Sequence, residues 1–264
     1  MALTRTRGGW VAWGQERYRE EFGRAVHMCR KDRGRIKLFI KGLALVSCLV
    51  FAALYPEGVI GFFSYQILLF KVYHLIWLAT LAVLVKRLIP GWNSKISVGK
   101  IFERHYAQAS AEGPSRQEKL SRYRRKMNIG AFRTAVYWSI IVLITGLFYN
   151  VGIFNKLWLF LSVAFFIFMD QFCVSVWCPF QWIIGNKCCN ACRINNWGYL
   201  MAFSPLIFVP SLWTISIVAL SGIVVIQWEY LFHKYPERFY ELYNANLQCK
   251  NCGRGCKLSQ QQSS

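Results

Sequence analysis

Acid is what this sequence is short of. Asp and Glu number 12 against 32 Lys and Arg in 264 residues, for a net charge of +20. Histidine is scarcer still, with four in the chain. A b-type haem carrier needs His pairs facing each other inside a bilayer, and His27, His105 and His233 all fall outside the apolar runs expected to cross one. Covalent haem is excluded as well, because Cys249-x2-Cys252 is followed by Gly253 and not by His. No G-x-x-x-x-G-K loop is present, which argues against intrinsic nucleotide hydrolysis. Nor does any Ser-His-Asp spacing stand out. The first residues, M-A-L-T-R-T-R-G-G-W, lack an apolar core followed by a small-residue cleavage site, so no removed signal peptide is expected.

Apolar sequence is abundant. Hydrophobic residues make up 55% of the chain and aromatics 17%, gathered into long runs between basic connectors, which is the pattern of a polytopic membrane protein. The excess positive charge therefore reads as orientation and lipid contact, with no nucleic-acid partner expected. Residues 1–37 are densely basic, which places this end in the cytoplasm, most simply at a bacterial inner membrane. Trp10, Trp13, Tyr18, Phe22 and Val26 recur there at helical spacing, which fits an interfacial helix, with a solvated basic tail as the equal alternative.

Residues 38–233 form the expected transmembrane domain. Crossings are predicted over about 38–54, 72–88, 131–149 and 157–177, with Tyr55-Pro56-Glu57-Gly58 as a turn after the first and an interfacial piece around 62–70. Lys71 and His74 lie three apart on one helix face: Lys71 reads as a snorkelling helix-end cation, and His74 as a candidate quinone or proton contact. Asp170 falls inside the fourth crossing, where a carboxylate needs a cation, a proton or a polar bundle interior. From Tyr199 to Phe232 the chain is apolar for too long to be one upright helix, and Pro205 and Pro210 interrupt its first part. A single crossing over 212–228 would put the tail of residues 234–264 outside. A bent first part plus a further short crossing would keep it inside, as its Lys and Arg demand. The expected fold is all-α, a helical bundle of five or six spans with a cysteine-rich cytoplasmic cap.

Cysteine carries the chemistry. Cys173, Cys178, Cys188, Cys189 and Cys192 crowd the loop 173–192, and Cys249, Cys252 and Cys256 lie in the tail, together eight of the ten cysteines. Buried structural cysteines occur singly, as Cys48 does, so such density points to ligation. Eight thiolates match two four-cysteine iron–sulfur clusters, or zinc. Cys249-x2-Cys252-x3-Cys256 has the form of a loop wrapping a cubane, with Gly253 and Gly255 in the turn, while Cys178-Pro179 and Cys189-x2-Cys192 supply a C-P step and a C-x2-C pair. Zinc in a structural or assembly protein is the main alternative, although adjacent Cys188 and Cys189 fit paired knuckles badly. Thiol–disulfide exchange and metal sensing or transport also remain.

Trp177-Cys178-Pro179 and the tail resemble the membrane-bound ferredoxin-like proteins of anaerobic respiration, whose C-x3-C-P motifs sit at helix ends beside the membrane. Here the upstream spacing is Cys173-x4-Cys178, and Lys257 stands where the ferredoxin run has proline. The resemblance implies two [4Fe-4S] clusters carrying electrons between a quinone pool and a partner oxidoreductase. With no catalytic constellation of its own, the chain is expected to act as a redox subunit. The tail has three thiolates and the loop five, so the two groups are expected to meet, with Cys188 or Cys189 as first choice for the shared ligand and sulfurs on the order of 6–7 Å apart.

Overall fold

The computed structural model describes residues 32–67, 70–93, 95–109, 116–186, 189–248 and 251. The interfacial helix expected in 1–37 lies almost wholly outside them, as do Cys188, Cys249, Cys252 and Cys256. Helix dominates, in α1 (Asp32–Leu54), α2 (Pro56–Ser64), α3 (Val72–Leu88), α4 (Ile96–Gly99), α5 (Arg116–Asn150), α6 (Lys156–Ser175), α7 (Pro179–Ile184), α8 (Gly198–Phe203) and α9 (Leu212–Lys234). The only strands among the described residues are the two-residue pieces Gln66–Ile67 and Phe70–Lys71, an antiparallel hairpin leading into α3.

Among the described residues, four helices, α1 from Ile36, α5, α6 and α9, are long and apolar enough to cross a membrane. Their outward residues are apolar, from Phe39 and Leu43 on α1 to Leu143 on α5 and Ile226 on α9, as lipid contact requires. Helix α3, at 17 residues, is shorter and ends in Lys86 and Arg87. Three local features differ from the sequence expectation. Pro56 does not end a turn but opens α2, because proline at the first helical position loses no hydrogen bond. The basic stretch before the third apolar run is itself helical from Arg116, so α5 extends well past the bilayer core. The piece expected around 62–70 begins earlier, as α2 from Pro56, and continues into the hairpin.

Contacts give each helix a direction. The α5–α6 turn closes at the end away from the cysteines, where Phe148 and Phe154 pack edge to face, and Asn155 caps α6 by accepting from the Trp158 N–H at 3.1 Å. Helix α1 runs antiparallel to α6, with Gly42 against the Phe168 ring. Helices α3 and α9 run parallel: Trp77 donates to Ser216 Oγ at 2.9 Å near their starts, and Gln227 reaches Leu88 O at 3.4 Å near their ends. Between α6 and α9 the chain returns to the far end by a short limb. Gly198 lies against Asp170, Ser204 Oγ accepts from Trp138 Nε1 at 3.0 Å, and Phe208 abuts Gly146 near the end of α5. This limb is α8 continued as a 3-10 helix over Ser204–Phe208, with Pro205 in its first turn. Its eleven residues rise about 19 Å, well short of the ~30 Å of α6.

The consequence is that α9 ends where the cysteine loop sits. Trp228 and Phe232 pack with Ile184, Cys192, Ile194, Met127 and Phe239 in one buried cluster. The residues after α9 then fold back over the connector between α3 and α5, where Ala245 N donates to Ala107 O at 2.7 Å and Ala109 N to Tyr243 O at 3.0 Å. Residues 198–208 thus run back along α5 and α6 before α9 begins. The described tail, up to the residue preceding Cys249, therefore lies at the end of the molecule that carries the cysteine loop.

Candidate functional site

Helix α6 delivers Cys173 in its last turn, and the Cys178-Pro179 step starts α7. Proline fits the first helical position, which leaves Cys178 as the N-cap residue. Gly185, at φ 74°, ends α7 in the left-handed conformation that glycine adopts without penalty. The chain then doubles back through residues 189–191 to bring Cys192 beneath α7. Cys178 and Cys192 are each buried to 6% exposure, and Cys173 is half-buried.

These three cysteines, up to nineteen positions apart in sequence, line one cavity of about 80 Å3 together with Asp170, Trp138 and Met201. The Cys173 and Cys178 thiols hydrogen-bond to one another, which with burial pushes the Cys178 thiol far above its ordinary range, while the N–H groups of Gln181 and Phe180 pull the other way. Burial, then the neighbouring Cys178, pushes Cys192 up to about 11; Lys100, the Ile194 N–H and the Asn186 amide oppose that shift. A metal or cluster would reverse this balance, since ligation holds the sulfur as thiolate. The described His, Cys, Asp and Glu side chains form no group of three around a single metal position.

Two buried cations underlie the loop. Lys100, with no exposed surface, donates from Nζ to Asn190 O and Cys192 O at 2.7 Å each and sits over the Trp228 ring at 5.2 Å. Arg193, 2% exposed, pairs with Glu229 on α9 and lies 3.3 Å over the Phe232 ring. Glu229 also accepts from Trp197 Nε1 at 2.8 Å, and the Trp228 indole donates to Arg193 O. Burying two cations is costly unless something anionic repays it. Glu229 answers one of them. The loop carbonyls hold the other next to Cys192.

Asp170 sits a turn before Cys173 and reaches the same cavity. Its carboxylate is within electrostatic range of Arg87 and Lys41. Arg87 is itself held by Asn196 Oδ1 at 3.3 Å and the Tyr199 hydroxyl at 3.1 Å. This places Asp170 beside the cysteines with two cations in its surroundings. His74 is elsewhere. At the opposite end of the bundle, its Nδ1 accepts the Lys71 N–H at 3.2 Å and its ring packs on Trp213 at 4.6 Å, so it acts as a helix cap within an aromatic cluster. Lys71, at the N-cap position, is exposed.

Of the other expected ligands, Cys189 is described only in its backbone, within a short 3-10 turn beside Ala191. Cys188, Cys249, Cys252 and Cys256 lie outside the described residues, and with them the expected meeting of the two groups. Cys48 is exposed on α1, away from the site. Lys100, Arg193, Asn186 and Arg87 were not singled out by sequence reasoning. Arg193 directly follows Cys192 and Arg87 ends an apolar run, which are signals of a kind; Lys100 looks like any other cation of a basic connector. No known protein family, curated protein or solved structure matches the chain.

Proposed function

We propose that this protein is a membrane electron-transfer subunit whose cysteines hold two [4Fe-4S] clusters, passing electrons between quinone and a partner oxidoreductase. The observation that carries this reading is the gathering of Cys173, Cys178 and Cys192 into one cavity at a helix end, over the buried cation Lys100. The donor set fits the group: soft thiols, low water access and adjacent positive charge suit an iron–sulfur centre with its anionic thiolate ligands. Cys173, Cys178 and Cys192, with Cys188 or Cys189 as the fourth, would hold one cluster, and the tail thiols with the remaining loop cysteine the other. When bound, such a cluster supplies one-electron transfer at a potential tuned by charge and burial.

The chain's own residues have separate tasks. Lys100 offsets thiolate charge, the Arg193–Glu229 pair pins the loop to α9, and Trp138 and Met201 keep water from the sulfurs. Asp170, backed by Arg87, is the proton-carrying group nearest the site and the contact we assign to quinone. The topology that accompanies this reading has six passes, the limb Gly198–Phe208 being the short one, with the N-terminus and the cysteine end in the cytoplasm, as the distribution of Lys and Arg favours.

Anaerobic purification tests the proposal. Brown protein with broad visible absorbance, bleached by dithionite, and about eight iron and eight sulfide per chain is the expected result given two cubanes. Colourless protein carrying stoichiometric zinc would replace it with the structural or assembly role. Cys178→Ser and Cys192→Ser should each lose about half of the iron.

A further inference from the structure

A second cavity lies on the other side of the cysteine loop, with a volume of about 370 Å3. It opens between the extramembrane part of α5 and the folded-back tail. Lys119, Arg122 and Lys126 of α5 line one wall, and Tyr123 and Tyr240 line the interior, their rings stacked at 4.2 Å and 5°. The base is Asn186, only 4% exposed, whose amide lies beside the Cys192 thiol. We infer that this cleft binds a small phosphate monoester carrying a planar ring, the chemistry of a mononucleotide.

Three observations lead there. First, charge: Lys119, Arg122 and Lys126 line the cleft with Glu241 as the acid among its described lining residues, Lys126 also donating to Gly185 O at 3.2 Å, and Arg122 pairs with Glu118 across an exposed helix turn, where an ion pair stabilises little. Cations three, four and seven positions apart share one helix face, so they can close on one phosphate. Second, shape and polarity: the interior is aromatic and apolar, the rim basic, and the volume falls in the range of small-molecule sites. Inorganic phosphate alone would leave that interior empty. Third, height: Lys126 to Lys119 stand roughly 8–18 Å along the helix beyond Ala131, where the apolar run begins, which favours an aqueous ligand over a lipid tail. The site is independent of what the cysteines bind. It does share a wall with them, because Gly185 and Ala191 line the cleft while Asn186 also acts on the Cys192 thiol.

The test uses the full chain in neutral phosphatidylcholine nanodiscs, titrated calorimetrically with AMP, adenosine and inorganic phosphate. AMP should bind saturably and at least tenfold more tightly than either fragment. Arg122→Ala and Lys119→Ala, both at exposed positions, should weaken AMP about tenfold or more, while Arg125→Ala, on the same helix but outside the cleft, should change it less than twofold. Tyr240→Leu should weaken AMP and leave phosphate unchanged. Absent saturable AMP binding, AMP no tighter than phosphate, or equal losses in Arg125→Ala and Arg122→Ala would overturn the inference. So would binding restricted to phosphatidylglycerol nanodiscs, which would make the cleft a lipid headgroup site.

Discussion

Lys100 donates its ammonium to the carbonyl oxygen of Cys192 across 92 positions of sequence, at 2.7 Å. A connector between two helices thereby sets the charge beneath a cysteine in another connector. Replacing Lys100 with Met keeps the length of the side chain but removes the charge and leaves two loop carbonyls without this donor. Each unmet group costs about 1–3 kcal/mol. Since Lys100 opposes the upward shift of Cys192, its loss should raise that thiol further from about 11. Metal-free Lys100→Met should therefore alkylate more slowly at Cys192 at pH 8–9, read by mass spectrometry. In the loaded protein the midpoint potential should fall, because the reduced, more negative state loses a stabilising cation.

Gly130 tests how closely α5 must approach α7. A methyl group there would stand 2.8 Å from Ile184 Cα, a backbone atom that cannot swing aside. Gly130→Ala should destabilise by about 1–3 kcal/mol despite the helix-favouring change, and should shift α7 together with Cys178. Gly222→Ala on α9, with open space around it, should be neutral or slightly stabilising. Thermal unfolding in detergent separates the two.

Asp170 and His74 should part company. Asp170→Asn removes the carboxylate facing Arg87 beside the cysteines and should slow quinol-linked reduction about tenfold or more with visible absorbance unchanged. His74→Ala removes the acceptor for the Lys71 N–H at the far end, a loss of about 0.5–1.5 kcal/mol. It should lower the melting temperature and leave turnover alone. Full turnover in Asp170→Asn would remove it from any proton path.

The short limb makes a topological prediction. On a background without other exposed cysteines, Ser121→Cys and Gln248→Cys should react with a membrane-impermeant maleimide from the same side, and Val151→Cys from the other. Labelling of Gln248→Cys from the Val151 side would mean that Gly198–Phe208 does not cross.

The apolar runs, their approximate ends and the basic connectors were legible in the sequence because membrane insertion responds to local hydropathy and charge. The same holds for the break at Pro205 and the crowding of cysteines after α6. How residues 199–232 pack against the rest of the bundle was not local. It depended on Gly198 being small enough to lie against Asp170, on Phe208 finding the notch at Gly146, and on Trp77 meeting Ser216 so that α3 and α9 run parallel. Proximity of Cys192 to Cys173 and Cys178, and the burial of Lys100 and Arg193 beneath them, follow from the same packing. Hydropathy specifies which segments leave water, and only the contacts between distant segments decide which of their ends come together.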